Sequence, residues 1–362
     1  MERCIKLIKK WWICKLRIVE RNNLSRKKRE SNCFLVIAGK AISTRTLRLK
    51  FLLTSRLQKL LSTTNLVKVS SKIPLIRNYL AKIDVLLYMK NFLISSLTLL
   101  FFTSCASIKH KDVIYGKSTS GEDLKLNVFV PKNSKNKKLQ VLIFVHGGNW
   151  NSGNKNTYGF FGRNFARKDV VTVIPAYTLS PKANVDQMTT EIATAIKWVQ
   201  KNIKDFKGNK DEIFVTGHSA GAQLVANAVL NPKFGIDERS ISGIILNDAA
   251  GIDMKDYLEK NPPSEIDNYL TTWSNDPEKW FQASPINFLD KNSPPFLIYV
   301  GEKTYPSIKV ANEHFLEKLR QFKPNVKPIF INKKHVPMIL QYALPWNDRS
   351  SEILEFMKKN KK

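Results

Sequence analysis

A pentapeptide in mid-chain, Gly217-His218-Ser219-Ala220-Gly221, most limits what this chain can fold into. It follows a short β-branched run, Glu212 to Thr216, and precedes a helix-favouring run, Ala222 to Leu230. Ser219 therefore falls on a strand-to-helix corner. Gly217 and Gly221 leave room for a sharp turn with a strained central residue, which lifts the Ser219 hydroxyl clear of the sheet edge. The next amide, on Ala220, opens a helix N-terminus and can face a developing oxyanion. Because Gly-x-Ser-x-Gly also recurs by chance, its meaning depends on what surrounds it.

What surrounds it is ordered. The apolar run Leu139 to Val145 reads as a strand buried on both faces and delivers His146-Gly147-Gly148-Asn149-Trp150. Two glycines after a buried strand let backbone N–H groups turn toward a ligand, so Gly147 or Gly148 and Ala220 can converge on one oxygen. A plain glycine turn with Trp150 in packing is the competing reading. Before this lie a polar linker, Ser107 to Lys111, and an expected antiparallel hairpin, Val113 to Tyr115 and Leu124 to Val130, turning at Gly121-Glu122-Asp123. Helical patterns at Thr157 to Lys168 and Asn184 to Ile203 flank a strand at Val170 to Ala176. Beyond the pentapeptide come a strand at Ile241 to Leu246, a long stretch Gly251 to Ser293, a strand at Phe296 to Val300 and a helix at Ile308 to Phe322. A strand at Lys327 to Ile331 and a helix at Ser350 to Lys358 close the chain. Strands alternating with helices predict an α/β fold, a mostly parallel sheet covered on both faces. Insertions as long as 251–293 are more often functional than idle. The aromatic residues of this one (Tyr257, Tyr269, Trp273, Trp280 and Phe281) either pack it onto the sheet or form a cap over Ser219.

On these motifs, Lys111 to Lys362 resembles the α/β-hydrolase fold. His-Gly-Gly-x-Trp and Ala-Tyr-x-Leu-Ser-Pro look most like the esterase branch near the hormone-sensitive-lipase, feruloyl-esterase and kynurenine-formamidase groups. The general base follows by elimination among five histidines: His110 precedes the domain, His146 and His218 belong to the two loops, and His314 lies within a helix. His335 remains, after the last strand, where the resemblance also puts the catalytic histidine. The acid departs from the family pattern. Its usual place, after the strand Phe296 to Val300, holds Thr304 in Gly301-Glu302-Lys303-Thr304. Asp248, directly after the preceding strand, is the favoured substitute; Glu302 is the alternative and Asp253 a more distant third. As a residue just after a strand, Asp248 could equally be a helix cap or a solvated loop acid.

The front of the chain reads differently. Residues 1–88 hold 21 of the 59 Lys and Arg but 4 of the 30 Asp and Glu, so +17 of the formal +29 lies there. The basic residues are scattered among apolar ones, without the coherent patch of a nucleic-acid footprint, and no nucleic-acid partner is expected. From Met89-Lys90-Asn91 the chain runs through an apolar core to Thr103-Ser104-Cys105, a signal-peptide pattern shorter than a membrane span. Its end resembles a bacterial lipoprotein signal, which would lipidate Cys105 and tether the protein to a membrane. Phe102 departs from that pattern, leaving an ordinary secretory signal or an uncleaved anchor as alternatives. The expected organisation is thus 1–88 as a basic extension or upstream sequence from a misplaced start, 89–105 as signal, and 106–362 as the hydrolase domain, with 251–293 as a candidate cap. Cys4, Cys14 and Cys33 precede Met89, so an exported body would be free of disulfides. These features predict a secreted or membrane-anchored serine hydrolase of small or carbohydrate-linked esters, with no metal or organic cofactor implied. An arylformamidase-like amide hydrolase and a hydrolase-fold binding protein are the alternatives.

Overall fold

The structure, a computed structural model, describes residues 34–37, 40–43, 107–135, 138–344 and 346–362 of the 362-residue chain. The chain divides into two units, Met1–Ser96 and Leu97–Lys362. In the first, β1 (Phe34–Ile37) pairs antiparallel with β2 (Lys40–Ser43). The expected signal, 89–105 with Cys105, lies outside the described residues.

The second unit is built on an eight-stranded sheet. Its strands are β3 (Ser107–Lys117), β4 (Asp123–Pro131), β5 (Leu139–Val145), β6 (Val171–Pro175), β7 (Gly208–His218), β8 (Ile241–Asn247), β9 (Phe296–Gly301) and β10 (Ile329–Ile331). They lie in the order β10-β9-β8-β7-β5-β6-β4-β3. β3 and β4 form the expected antiparallel hairpin, β4 runs antiparallel to β6, and the strands from β6 through β10 are parallel. One expectation needs correcting. Ser107 to Lys111 is not a linker: Ser107 through His110 pair with Pro131 through Val128 as the start of β3, so His110 belongs to the sheet. β3 is an edge strand whose outer face meets water, and an edge tolerates the polar sequence that would exclude a central strand.

The pleat explains why the central strands are apolar throughout. Along β5, Val141, Ile143 and Val145 face one layer while Leu142 and Phe144 face the other. The first layer contains α2 (Val185–Asn202) and α3 (Ala220–Leu230); α2 buries Val185, Met188, Ile192, Ile196 and Val199 at helical spacing. Asn184 starts α2 through a capping box with Gln187, each side chain bonding the other residue's backbone. The second layer contains α1 (Gly159–Ala166) through Phe161 and Phe165, and α9 (Asp348–Lys359) through Ile353 and Met357. Each fully buried side chain of this size contributes roughly 1.5–3 kcal/mol. That stable frame leaves the carboxyl ends of β5, β7, β8, β9 and β10 side by side. Since β5 leads to β6 on one flank while β7 lies on the other, the order reverses at β5, and ligands bind at such reversals in open α/β sheets.

The remaining helices are α4 (Met254–Lys260), α5 (Tyr269–Trp273), α6 (Pro277–Gln282), α7 (Pro306–Arg320) and α8 (His335–Leu340). The first three form the 251–293 insertion. Ile286 N–H donates to the Ile252 carbonyl at 3.2 Å and Lys255 N–H to Ser284 Oγ at 2.9 Å, which closes the insertion on itself. Among the described residues no helix is long and apolar enough to cross a membrane.

Candidate active site

The corner predicted at Ser219 is formed by β7 running directly into α3. Ser219 has φ 56° and ψ −128°, a backbone conformation that costs about 1–3 kcal/mol and persists only where its surroundings hold it. Close packing holds it here. A Cβ on Gly217 would come within 2.4 Å of the Gly221 backbone, and one on Gly221 within 2.3 Å of the Val145 carbonyl oxygen, so only hydrogens fit between elbow and β5. A Cβ on Gly147 would sit 2.9 Å from Ser219 Cβ, which places the His-Gly-Gly loop against the serine. Gly148 adopts φ 132° and accepts from the Asn151 and Ser152 amides, so the loop folds back tightly after it. Ala220 is the first residue of α3, and an amide there has no intrahelical acceptor. Gly147, Gly148 and Ser219 line one cavity of about 540 Å³.

His335 begins α8, a short helix that the sequence pattern did not reveal. Its Nε2 lies 2.8 Å from Ser219 Oγ and its Nδ1 2.6 Å from Asp248 Oδ2. Asp248 follows β8, and its amide extends the sheet by donating to the Tyr299 carbonyl at 2.8 Å. Its carboxylate is fully buried and takes two further hydrogen bonds, from the Gly301 amide at 2.8 Å and the Thr304 hydroxyl at 2.6 Å. A buried carboxylate needs such donors to remain charged. Thr304, at the place where the family pattern expects an acid, thus supports the acid that stands on the neighbouring strand. Glu302 is exposed and lines a separate groove with Lys309 and Glu313. Asp253 lines the Ser219 cavity but pairs with His314, its Oδ2 lying 2.8 Å from His314 Nδ1.

Two other histidines lie in the loops around this site, and one of them touches His335. His218 stacks on His335 with ring centroids 4.6 Å apart, and its Nε2 lies 3.1 Å from the His335 carbonyl oxygen, to which it can donate. Burial, with the adjacent His335 ring adding to it, pushes His218 down to about 3. His146 stacks between Tyr177 and Tyr158, and burial pushes it down to about 4. Both are therefore neutral near pH 7.

The aromatics of the insertion divide between the two expected roles. Tyr257 and Tyr269 line the cavity. Trp273 and Trp280 are buried: Trp273 meets Trp150 edge-on at 4.9 Å, and Trp280 Nε1 donates to the Trp273 carbonyl at 3.1 Å. Phe281 packs edge-on against Phe288. Trp150 is held by donation from its Nε1 to Gln223 Oε1 at 2.9 Å. Sequence reasoning missed Tyr305, which is exposed at the cavity rim and meets the His335 ring edge-on at 5.4 Å. Its one signal was its position directly after Thr304. Among the described residues, Asp253, Asp256 and His314 are close enough to share a metal ion. Each already has a protein partner, since Lys260 Nζ holds both Asp256 oxygens at 2.7 and 2.9 Å.

The BD-FAE family model matches residues 126–319, from β4 through most of α7. The chain belongs to the BD-FAE family. Esterase LipC of Mycobacterium tuberculosis is 27% identical over 232 residues, covering 60% of this chain and 58% of LipC. Kynurenine formamidase of Salmo salar is 33% identical over 115 residues, 32% of this chain and 36% of that protein. The chain thus spans little more than half of LipC and about a third of the formamidase. Esterase B of Lactobacillus rhamnosis shares the fold with a TM-score of 0.59 at 17% identity, covering 78% of this chain and 95% of that one. The family match and this likeness agree with the α/β-hydrolase fold expected from the strand order.

Proposed function

We propose that this BD-FAE family chain is a serine carboxylic-ester hydrolase. The observation that carries the reading is the unbroken path from Ser219 Oγ to His335 Nε2 and from His335 Nδ1 to Asp248 Oδ2, at 2.8 and 2.6 Å. In the proposed reaction Ser219 Oγ attacks the ester carbonyl carbon as its proton passes to His335 Nε2. The carbonyl π pair moves to oxygen, where the amides of Gly147, Gly148 and Ala220 hold it. When the carbonyl re-forms, the C–O bond to the alcohol breaks and His335 returns the proton to the departing oxygen. Water then repeats the sequence on the acyl-enzyme, regenerating Ser219 and releasing the acid. Asp248 stays ionised throughout and stabilises the imidazolium. These steps draw on no metal or organic cofactor.

The cavity sets polar groups (Asn149, Asp253 and the tyrosines Tyr158, Tyr257, Tyr269 and Tyr305) beside apolar ones (Trp150, Met254, Ile308, Val336 and Ile339), and we read the polar set as the part that orients a small or carbohydrate-linked ester. Amide hydrolysis of the arylformamidase kind is the second reading, supported by the aromatic lining and the similarity to kynurenine formamidase. A fluorophosphonate probe should label the wild type and fail on Ser219→Ala; absence of labelling in the wild type would leave only a binding role. Short acyl esters tested beside N-formyl aromatic amides then separate the two enzyme readings. We further propose export with lipidation at Cys105, and no nucleic-acid partner. Mass spectrometry of the native N-terminus should find a mature chain starting at Cys105, and one retaining residues 1–88 would refute it.

A further inference from the structure

Asp253, on the wall of the Ser219 cavity, forms a second aspartate–histidine pair with His314. Asp253 stands at the N-cap of α4, where an Asp side chain ordinarily accepts from an amide of the first turn. Asp276 and Asn347 do so at the starts of α6 and α9, whereas the Asp253 side chain makes no capping bond. Its carboxylate instead bonds His314 on α7 and lines the cavity shared with Ser219. The side chain retains 13% exposure, so this is a largely desolvated carboxylate at the wall of a ligand-sized space. Helix α4 therefore lacks a side-chain cap, and the placement brings an acceptor to the cavity.

We infer that Asp253, braced by His314, is a specificity residue: it accepts a hydrogen bond from a donor group on the substrate and rejects substrates carrying a carboxylate there. The inference rests on the esterase reading of Ser219. A carboxylate with so little exposure at a cavity wall discriminates in two ways. A substrate hydroxyl donates to it, and hydrogen bonds to charged groups are stronger than neutral ones. A substrate carboxylate meets like charge with little water between to screen it. Tyr257, one turn along α4, and Tyr269, whose hydroxyl lies 3.2 Å from Asn149 Oδ1, line the same cavity and limit how a ligand can approach. His314 acts as a positioning residue, fixing Oδ2 so that the carboxylate cannot turn back to cap α4.

The test uses the full chain and two matched ester series. Hydroxybutyl acetate, pentyl acetate and acetoxypentanoate differ only at the far end of the alcohol; methyl esters of the corresponding hydroxy-, methyl- and carboxyl-terminated acyl chains place the same groups on the other side. In one series the wild type should favour the hydroxyl-terminated over the methyl-terminated ester by about tenfold or more in kcat/KM, mostly through KM. The carboxyl-terminated ester should be poorest. Asp253→Leu should erase the hydroxyl preference and Asp253→Asn should relax the discrimination against the carboxylate by about tenfold. His314→Phe should raise KM for the hydroxyl ester more than it changes kcat, and His314→Gln, which keeps a donor, should restore it. Flat ratios across both series in the wild type, or ratios unaltered in both Asp253 variants, overturn the inference. Hydrolysis persisting in Ser219→Ala would instead sink the esterase reading. Calorimetric affinities of Ser219→Ala for the same esters then measure the discrimination without turnover, and equal affinities would again overturn it.

Discussion

Two aspartate–histidine pairs meet one cavity, the first through His335 and the second through Asp253, with nearly equal contacts, 2.6 Å for Asp248–His335 and 2.8 Å for Asp253–His314. Their surroundings separate them. Asp248 is fully buried and takes two donors besides the histidine, and His335 is stacked on His218 with its far nitrogen against Ser219. Asp253 and His314 retain 13% and 39% side-chain exposure, and here the acid rather than the imidazole lines the cavity. On the proposed reading, contact between acid and imidazole is insufficient for acyl transfer. The imidazole must reach a nucleophile, and the acid must be supported well enough to stay charged without water.

The largest effect should come from breaking the first pair. Asp248→Asn is expected to lower kcat by about 10⁴ with KM little changed, as the loss of the acid does in comparable triads. Glu302→Gln should cost far less. The reverse result would move the acid to Glu302 and dissolve the contrast between the pairs. Thr304→Asp sharpens the point. Alone it sets a second carboxylate where the Thr304 hydroxyl now lies, 2.6 Å from an Asp248 oxygen and 3.4 Å from His335 Nδ1, and kcat should fall because like charges that close cannot both ionise. Combined with Asp248→Asn it should recover part of the lost activity.

A smaller effect should separate the wall that carries Asp253 from the frame beneath it. Trp273 is almost completely buried against Trp150. Trp273→Ala should therefore cost about 3–5 kcal/mol of stability, read from urea midpoints, and lower activity on every ester alike. A change confined to some chain lengths, with stability intact, would mean that Trp273 acts on substrate as Tyr257 and Tyr269 are placed to do.

Much of this arrangement was legible because the elements that place Ser219 are local. A β-branched run, two glycines and a helix-former run specify the elbow, and buried strands announce themselves by continuous apolar sequence. Asp248 could be named from its place at the end of β8, but its environment could not. The Gly301 amide and Thr304 hydroxyl reach it from a neighbouring strand more than fifty residues away, and no spacing rule encodes that. Thr304 looked like a defect when read alone and becomes a donor once β8 and β9 are side by side. His314 was set aside as a helix residue because the periodicity of α7 says nothing about α4, which meets it through Asp253. The edge strand starting at Ser107 was misread for a related reason: polar residues at a sheet edge look like linker until a partner strand is known.

The smallest expected effect concerns the two buried histidines of the site loops, His218, which stacks on His335, and His146. His218 and His146 have folded-state values of about 3 and about 4 against an ordinary 6.5, because burial disfavours their charged forms. Their contribution to stability is complete above pH 6.5, where folded and unfolded chains both leave them neutral. As pH falls below 6.5 the unfolded chain takes up protons that the folded chain refuses, so stability drops by up to about 1.4 kcal/mol per pH unit for each histidine. The loss runs down to about 4 for His146 and about 3 for His218. Glu238, raised to about 7 chiefly by burial, works against this between its ordinary 4.5 and 7, since there the folded chain holds the extra proton. The difference between variants, rather than the absolute slope, therefore isolates the histidines. Urea midpoints of wild type, His146→Phe and His218→Phe between pH 7 and pH 5 should show each variant losing about 0.7 of one proton's worth of slope. An unchanged slope in His218→Phe would mean that His218 carries a proton in the folded protein. His335 would then rest on a charged ring rather than on the neutral one that the burial of His218 calls for.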